Sequence, residues 1–308
     1  MSPFYLILGV AVCTTILTRG KPLAESSDFA MSVPPGNLTI ATATITPTLE
    51  PEKTCQLMRD VIARSLDENP NIRVFLFGET VLGWFSHPEG SAAYHRSIAE
   101  TIPGPSSDTL SAAARDENVY ICFGMTERDG EDIYNSQVLI SPEGKILAVH
   151  RKFTIVNPFF SAGERKLTVV CIDGAKAAVL VCADVRNREL LRSIRRERVD
   201  VVLAGLTDGV TDTRLSRMIG TLFDAWTFTA NRFGEEGKMK WNGMTTITDP
   251  WGRLAQANVY SECVLVQEVP LDRPNPAARS IRRTLVFLKG IGLAVSVMLR
   301  MVRKGLAG

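Results

Sequence analysis

The chain reads as an α/β domain whose sheets are covered by helices. Short β-branched runs alternate with helical patterns from residue 38 to about 270, and turn residues punctuate them closely. No repeat or low-complexity run interrupts this order. Composition agrees. Of 308 residues, 45% are hydrophobic and 22% charged, which excludes wholesale disorder and collagen-like structure. The length fits one large domain or two modest ones.

Taken in order, residues 38–45 alternate and are rich in β-branched side chains, which predicts a strand. Residues 51–66 carry Cys55, Met58, Val61, Ile62 and Leu66 at helical spacing, and Asn69-Pro70-Asn71 breaks the pattern. Residues 73–77 form a short apolar strand. A helix is expected over 108–117, with Asp108 as its N-cap. Three strands follow as a meander over 119–125, 134–140 and 146–150. Asp129-Gly130 and Pro142-Glu143-Gly144 supply its turns. Residues 167–172 and 177–182 form a hairpin across Asp173-Gly174. A buried strand over 199–204 precedes a long helix over 213–230. Residues 243–248, the Asp249-Pro250-Trp251-Gly252 turn and residues 263–269 close the domain.

Charge narrows the function. Lys plus Arg number 35 and Asp plus Glu 33, a net charge of +2, so no global basic field marks a nucleic-acid partner. The three histidines, His87, His95 and His150, form no HExxH or HxH pair, and no metal site is expected. Six scattered cysteines without a CxxC read as free thiols, mostly buried.

The ends differ from the middle. Residues 1–18 carry no charge and would reach ~27 Å as a helix, just enough for a bilayer core. Arg19 and Lys21 follow the run rather than precede it. Residues 1–21 therefore read as a membrane anchor or a signal-like segment, and 22–37 as a linker. The anchor reading makes the protein membrane-associated, with the catalytic domain on the cytoplasmic side. Residues 273–308 form an apolar and basic tail, read either as a helix on an anionic membrane or as one packed on the domain or a partner subunit.

Three residues at strand ends suit one chemistry. Glu79 closes Val74-Phe-Leu-Phe-Gly-Glu, Cys182 closes Ala177-Ala-Val-Leu-Val-Cys, and Lys152 follows the meander. Each alone has a plainer reading: a surface glutamate, an inert buried thiol, a solvated lysine. Together they supply a nucleophile, a base that activates it, and an ammonium for developing negative charge. The product of attack on a carbonyl or nitrile carbon is a thioester, opened later by water or an amine, and no cofactor is required.

These pieces resemble the nitrilase, or carbon–nitrogen hydrolase, superfamily. The resemblance rests on Phe77-Gly-Glu79-Thr, Gly124-Met-Thr-Glu127-Arg, Ile133-Tyr-Asn135, Pro142-Glu-Gly144-Lys, His150-Arg-Lys152-Phe, Val181-Cys182-Ala-Asp184 and Asn242-Gly243 through Asp249-Pro-Trp-Gly252. The pieces stand in the family's order and cover about residues 38–272. The resemblance implies a four-layer αββα sandwich that assembles as a homo-oligomer. It also implies Glu79 as general base, Lys152 as oxyanion stabiliser and Cys182 as nucleophile. Glu127 would position substrate and lysine, and the Ala183 N–H would help hold the oxyanion.

The implied activity is hydrolysis of small amides, carbamoyl compounds or nitriles. The alternatives are a membrane-associated N-acyltransferase, similar to apolipoprotein N-acyltransferase, and an inactive relative. The sequence departs from the family pattern at Ala183, at Asp184, over 154–162 and at Leu206-Thr-Asp-Gly-Val, which bears on the substrate more than on the chemistry.

Overall fold

A computed structural model describes residues 36–209 and 211–271, together with helical positions 278, 281–282, 284–286, 288–293, 295–296 and 299. Strand β1 (Asn37–Thr44) is buried at every position but its first, as a strand covered on both faces must be. Helix α1 (Pro51–Glu68) begins on a proline, whose missing N–H costs nothing in a first turn, and buries Cys55, Met58 and Ile62. Strand β2 (Val74–Leu76), helix α2 (Ser91–Ile98) and helix α3 (Pro105–Asp116) lead to the meander β3 (Tyr120–Asp129), β4 (Asp132–Ile140) and β5 (Ile146–Arg151). The second half runs β6 (Thr168–Ile172), β7 (Ala175–Val181), a 3-10 turn (Cys182–Arg186), helix α4 (Arg188–Glu197) and β8 (Val201–Gly205). It continues with helix α5 (Thr213–Phe223), β9 (Trp226–Ala230), β10 (Phe233–Glu236), β11 (Met239–Asn242), β12 (Thr245–Thr248), β13 (Leu254–Asn258) and β14 (Cys263–Pro270).

Two six-stranded sheets result, ordered β14-β1-β2-β3-β4-β5 and β13-β12-β9-β8-β7-β6. In each, the inner neighbours β1-β2-β3 and β7-β8-β9 are parallel. Three apolar layers make the expected αββα sandwich. Phe75, Phe77 and Phe123 pack against Met58, Ile62 and Leu110 of the first helical layer. Leu76, Cys122 and Leu139 meet Ala177, Leu203 and Phe228 between the sheets. Leu180 and Val202 pack against Leu190, Ile194 and Phe223 on the far side.

Several elements differ from the sequence-based expectation. The long helix over 213–230 is two elements. It stops at Phe223, where Asp224 turns left-handed (φ 56°), and Trp226-Thr-Phe-Thr-Ala continues as a central strand. Aromatic and β-branched residues pack well on a pleated surface, and the parallel partner β8 supplies that surface. The helix expected to start at Asp108 starts at Pro105. Gly104 stands at its N-cap, and the Gly104 N–H donates to Ser107 Oγ at 2.8 Å. Helices α2 and α4 and the β10–β11 hairpin have weak signals in the chain and were not foreseen.

The membrane-associated location is corrected. Among the described residues no helix is long and apolar enough to cross a membrane. The segment behind the anchor expectation, residues 3–18, lies outside the described residues, as do most of the linker over 22–37 and parts of the tail. The described part of the tail is helical and docks on the domain. Val286 is buried, Arg282 Nε donates to Asp224 Oδ1 at 2.8 Å, and Lys289 Nζ donates to the Trp251 carbonyl at 3.0 Å.

Phe228, fully buried between the sheets, anchors the middle layer. Phe228→Ala is expected to lower unfolding free energy by about 3–5 kcal/mol, read from denaturant titration.

Candidate active site

Glu79 lies just past β2 and Cys182 directly past β7. Strand β2 is parallel to both its neighbours and β7 to β8, so both residues lie at carboxyl ends of parallel strands, where α/β folds form sites. Lys152 follows β5 at once. The segments meet closely. A Cβ added at Gly124 would strike the Thr80 backbone nitrogen and lie 2.6 Å from the Gly78 carbonyl, so only glycine fits there.

The contacts join Glu79 directly to Lys152. Lys152 Nζ donates to Glu79 Oε1 at 2.5 Å, and Asn135 Nδ2 donates to the same oxygen at 2.7 Å. Glu79 is 0% exposed and Lys152 4%. Glu79 Oε2 is buried without a partner. Burial alone would lower the lysine pKa, but the Glu79 carboxylate, then Cys182, reverse this and hold the ammonium charged well above the usual lysine range.

Cys182 starts the 3-10 turn with φ 40°, a left-handed position that costs a non-glycine residue on the order of 1–3 kcal/mol. A side chain on such a strained strand-to-helix turn is lifted clear of its own strand. Its Sγ stands 3.8 Å from the Thr207 carbonyl. Burial pushes the thiol up to about 12; Glu79 adds to the shift and Lys152 opposes it. The resting group is therefore a thiol at neutral pH. Ala183 is next in the turn and buried, and the first amides of such a turn have no partner within it.

Glu127 is placed differently from the expectation. It pairs with Tyr134 while Asn135 pairs with Thr126, so alternation sends Glu127 and Asn135 to opposite sheet faces. Its carboxylate accepts from Arg151 Nη2 at 2.6 Å, Arg151 Nε at 3.0 Å and Ser136 Oγ at 2.6 Å. The structure thus gives Glu127 those partners rather than Lys152.

Two further pairs hold the site. Asp184 Oδ2 accepts from His150 Nε2 at 3.1 Å and from the Phe153 N–H at 3.3 Å, and Oδ1 accepts from the Thr154 N–H at 2.7 Å. The turn that starts at Cys182 is thereby tied to the lysine segment on both sides of Lys152. The two-residue offsets in His150-Arg-Lys152 and Cys182-Ala-Asp184 are its only sequence signal. Burial opposes ionisation of Asp184, yet the His150 and Thr154 bonds win and hold its pKa below the usual range.

Arg232, fully buried, donates from Nη2 to the carbonyls of Glu79 (3.1 Å), Thr80 (2.7 Å) and Gly83 (3.3 Å). Its Nη1 pairs with Glu236, whose Oε2 accepts from the N–H groups of Phe85 and Ser86 at 2.9 and 3.1 Å. This ion pair clamps the loop after Glu79, where Thr80 is itself left-handed (φ 41°). An arginine among polar residues at a strand end announces none of this.

The carboxyl edges of the two sheets thus hold a buried Glu79–Lys152 pair and the thiol of Cys182. The carbon-nitrogen hydrolase family model matches residues 39–279, and the chain belongs to that family. It is similar to a nitrilase of Pyrococcus abyssi, 31% identical over 180 residues, covering 56% of this chain and 68% of the relative. It is also similar to omega-amidase NIT2 of Mus musculus, 25% identical over 224 residues, 67% of this chain and 79% of the relative. An amidase of Nesterenkonia AN1, in mutant form, shares the fold: TM-score 0.66, 21% identity, 81% of this chain and 99% of that one. The chain is a hydrolase with amidase- or nitrilase-like activity.

Two measurements probe the supports. Arg232→Met leaves Glu236 buried and unpaired, and is expected to cost about 3–5 kcal/mol in denaturant unfolding. His95 is buried, its Nε2 3.1 Å from the Phe85 carbonyl, and burial lowers its pKa from 6.5 to about 4. The unfolded chain takes up this proton first. Stability should therefore fall as pH drops from about 6.5 to 4, by at most ~1.4 kcal/mol per unit, and His95→Gln should flatten that slope.

Proposed function

We propose that the protein hydrolyses small amides through a thioester on Cys182. The observation that carries this is the buried Glu79 carboxylate, with one oxygen held by Lys152 and Asn135, the other left without a partner, and the pair near enough to act on the charge of Cys182.

In the first half-reaction Glu79 Oε2 takes the thiol proton as Sγ attacks the carbonyl carbon. The carbonyl electron pair moves to oxygen, and the Lys152 ammonium and the Ala183 N–H stabilise that charge. The tetrahedral adduct collapses, the C–N bond breaks, and Glu79 returns its proton to the leaving amine. The thioester remains.

In the second half, Glu79 takes a proton from water, the hydroxide attacks the thioester carbon, and the C–S bond breaks. The proton goes back to sulfur as the acid leaves. Because the resting thiol is raised, proton transfer must accompany attack, and a base in contact is needed. A mutant of the Nesterenkonia amidase carries the acetamide moiety of fluoroacetamide on its active-site cysteine, an alkylation that supports a nucleophilic role for the matching Cys182. Homo-oligomeric assembly, implied by the resemblance, remains part of this proposal and is checked by light scattering.

Cys182→Ala and Glu79→Gln are each expected to abolish ammonia release from butyramide while thermal unfolding stays cooperative. An amide in place of Glu79 cannot accept the thiol proton. Lys152→Met should lose on the order of 10²–10³-fold in kcat. Intact mass should show an acyl adduct in the wild type and none in Cys182→Ala; full turnover by Cys182→Ala would end the mechanism.

A further inference from the structure

We infer that Asn135 Oδ1 receives a hydrogen from the nitrogen of the scissile amide, so that the site selects substrates whose leaving nitrogen carries an N–H. This rests on the proposed thioester chemistry at Cys182 and names a residue that chooses its leaving group.

Asn135 stands in β4 opposite Thr126 of β3 and is 1% exposed. Its backbone carbonyl accepts from the Lys152 N–H at 2.7 Å, and its Nδ2 donates to Glu79 Oε1 at 2.7 Å. A carboxylate only accepts, so the nitrogen end of the side chain must face Glu79. Oδ1 is the atom left over. It is buried without a partner among the described residues, and so is Glu79 Oε2. Joined through one hydrogen bond, the two oxygens stand at most about 7 Å apart, within reach of one bound amide. A buried acceptor without a donor is destabilising, so both call for a ligand that brings hydrogens.

Alternation places the side chain. Residues 135, 137 and 139 of β4 share one face. Leu139 packs between the sheets with Ala177 of β7 and Leu203 of β8. Gln137 reaches Gly205 at the end of β8, where an added Cβ would lie 2.4 Å from its Oε1. That oxygen also lacks a partner, yet it is packed against Gly205. Gly205 pairs with Val181, the last residue before Cys182. The step from Gln137 to Asn135 therefore leads past these strand ends, to the level of the Cys182 turn. The charges of Glu79 and Lys152 both act on the thiol there.

In the bound amide, one nitrogen hydrogen goes to Oδ1, which holds the nitrogen against Glu79 Oε2. As Sγ attacks the carbonyl carbon, its proton passes to Oε2 and the carbonyl electron pair moves to oxygen. That pair then returns, the C–N bond breaks, and the proton on Oε2 goes to the nitrogen lone pair. The amine leaves with the hydrogen it gave to Oδ1, as ammonia from a primary amide. A tertiary amide or an ester has no such hydrogen and leaves Oδ1 unpaired.

The test compares leaving groups on one acyl chain. Values of kcat/KM for butyramide and p-nitrophenyl butyrate report acylation in both cases. In Asn135→Leu the amide-to-ester ratio is expected to fall on the order of tenfold or more, with Asn135→Ser used if the leucine variant does not fold. An equal loss on both substrates overturns the inference, because Asn135 then acts only through Glu79. A second arm needs no turnover. In Cys182→Ala, saturation-transfer NMR gives dissociation constants for butyramide and for 2-pentanone, which carries a methyl group in place of the NH2. Butyramide is expected to bind on the order of tenfold more tightly, and adding Asn135→Leu should erase most of that preference. A preference that Asn135→Leu leaves unchanged overturns the inference. A preference that depends on Asn135 while no amide is hydrolysed supports this role of Asn135 and overturns the proposed hydrolysis instead.

Discussion

Two opposite charges buried within 2.5 Å of one another are costly to assemble and costly to break. The idealised penalty of removing each ion from water is repaid only by good geometry and further hydrogen bonds. Glu79 and Lys152 meet these terms through Asn135, which donates to the carboxylate and whose carbonyl accepts the Lys152 N–H at 2.7 Å. The meander β3-β4-β5 is therefore part of the site. It brings a lysine from one edge of the first sheet back over the carboxyl end of β2, in the middle of that sheet.

Around this pair the chain stores strain and then immobilises it. Thr80 and Cys182 both hold left-handed conformations that cost energy without a glycine. Each has its own restraint. The Arg232–Glu236 pair caps five backbone groups from Glu79 to Ser86, and the Asp184–His150 pair ties the Cys182 turn to the end of β5. Such restraints keep reacting groups in register without help from substrate, which is the condition for electrostatic stabilisation to work.

The electrostatics also explain a division of labour. The ammonium is raised and stays charged, the thiol is raised and stays neutral, and the carboxylate keeps one oxygen free. Negative charge on sulfur is thus disfavoured until a proton can move to Glu79. In the proposed mechanism the Lys152 ammonium then meets the negative charge that develops on the carbonyl oxygen. Burial, which makes the resting thiol inert, makes the same charges stronger once a substrate displaces water.

The chain by itself determined the strands that lead to Glu79, Lys152 and Cys182, the turns of the meander and the two-residue turn at Asp173-Gly174. Local alternation, apolar runs and turn residues act within a few positions, so they are legible in sequence. The split of residues 213–230 was not, because whether Trp226-Thr-Phe-Thr-Ala lies as helix or strand depends on the β8 edge beside it. The partners of Glu127 were hidden for a related reason. Proximity in sequence to the site says nothing about sheet face, and one step of alternation turned it toward Arg151. Asp184 and His150 were invisible as partners because they meet only when two sheets stack, and the Arg232–Glu236 pair, although four residues apart, finds the loop after Glu79 only through the same stacking. Tertiary structure alone decides which buried charges face one another, since the cost of leaving any one unpaired is paid in the folded state and nowhere along the chain.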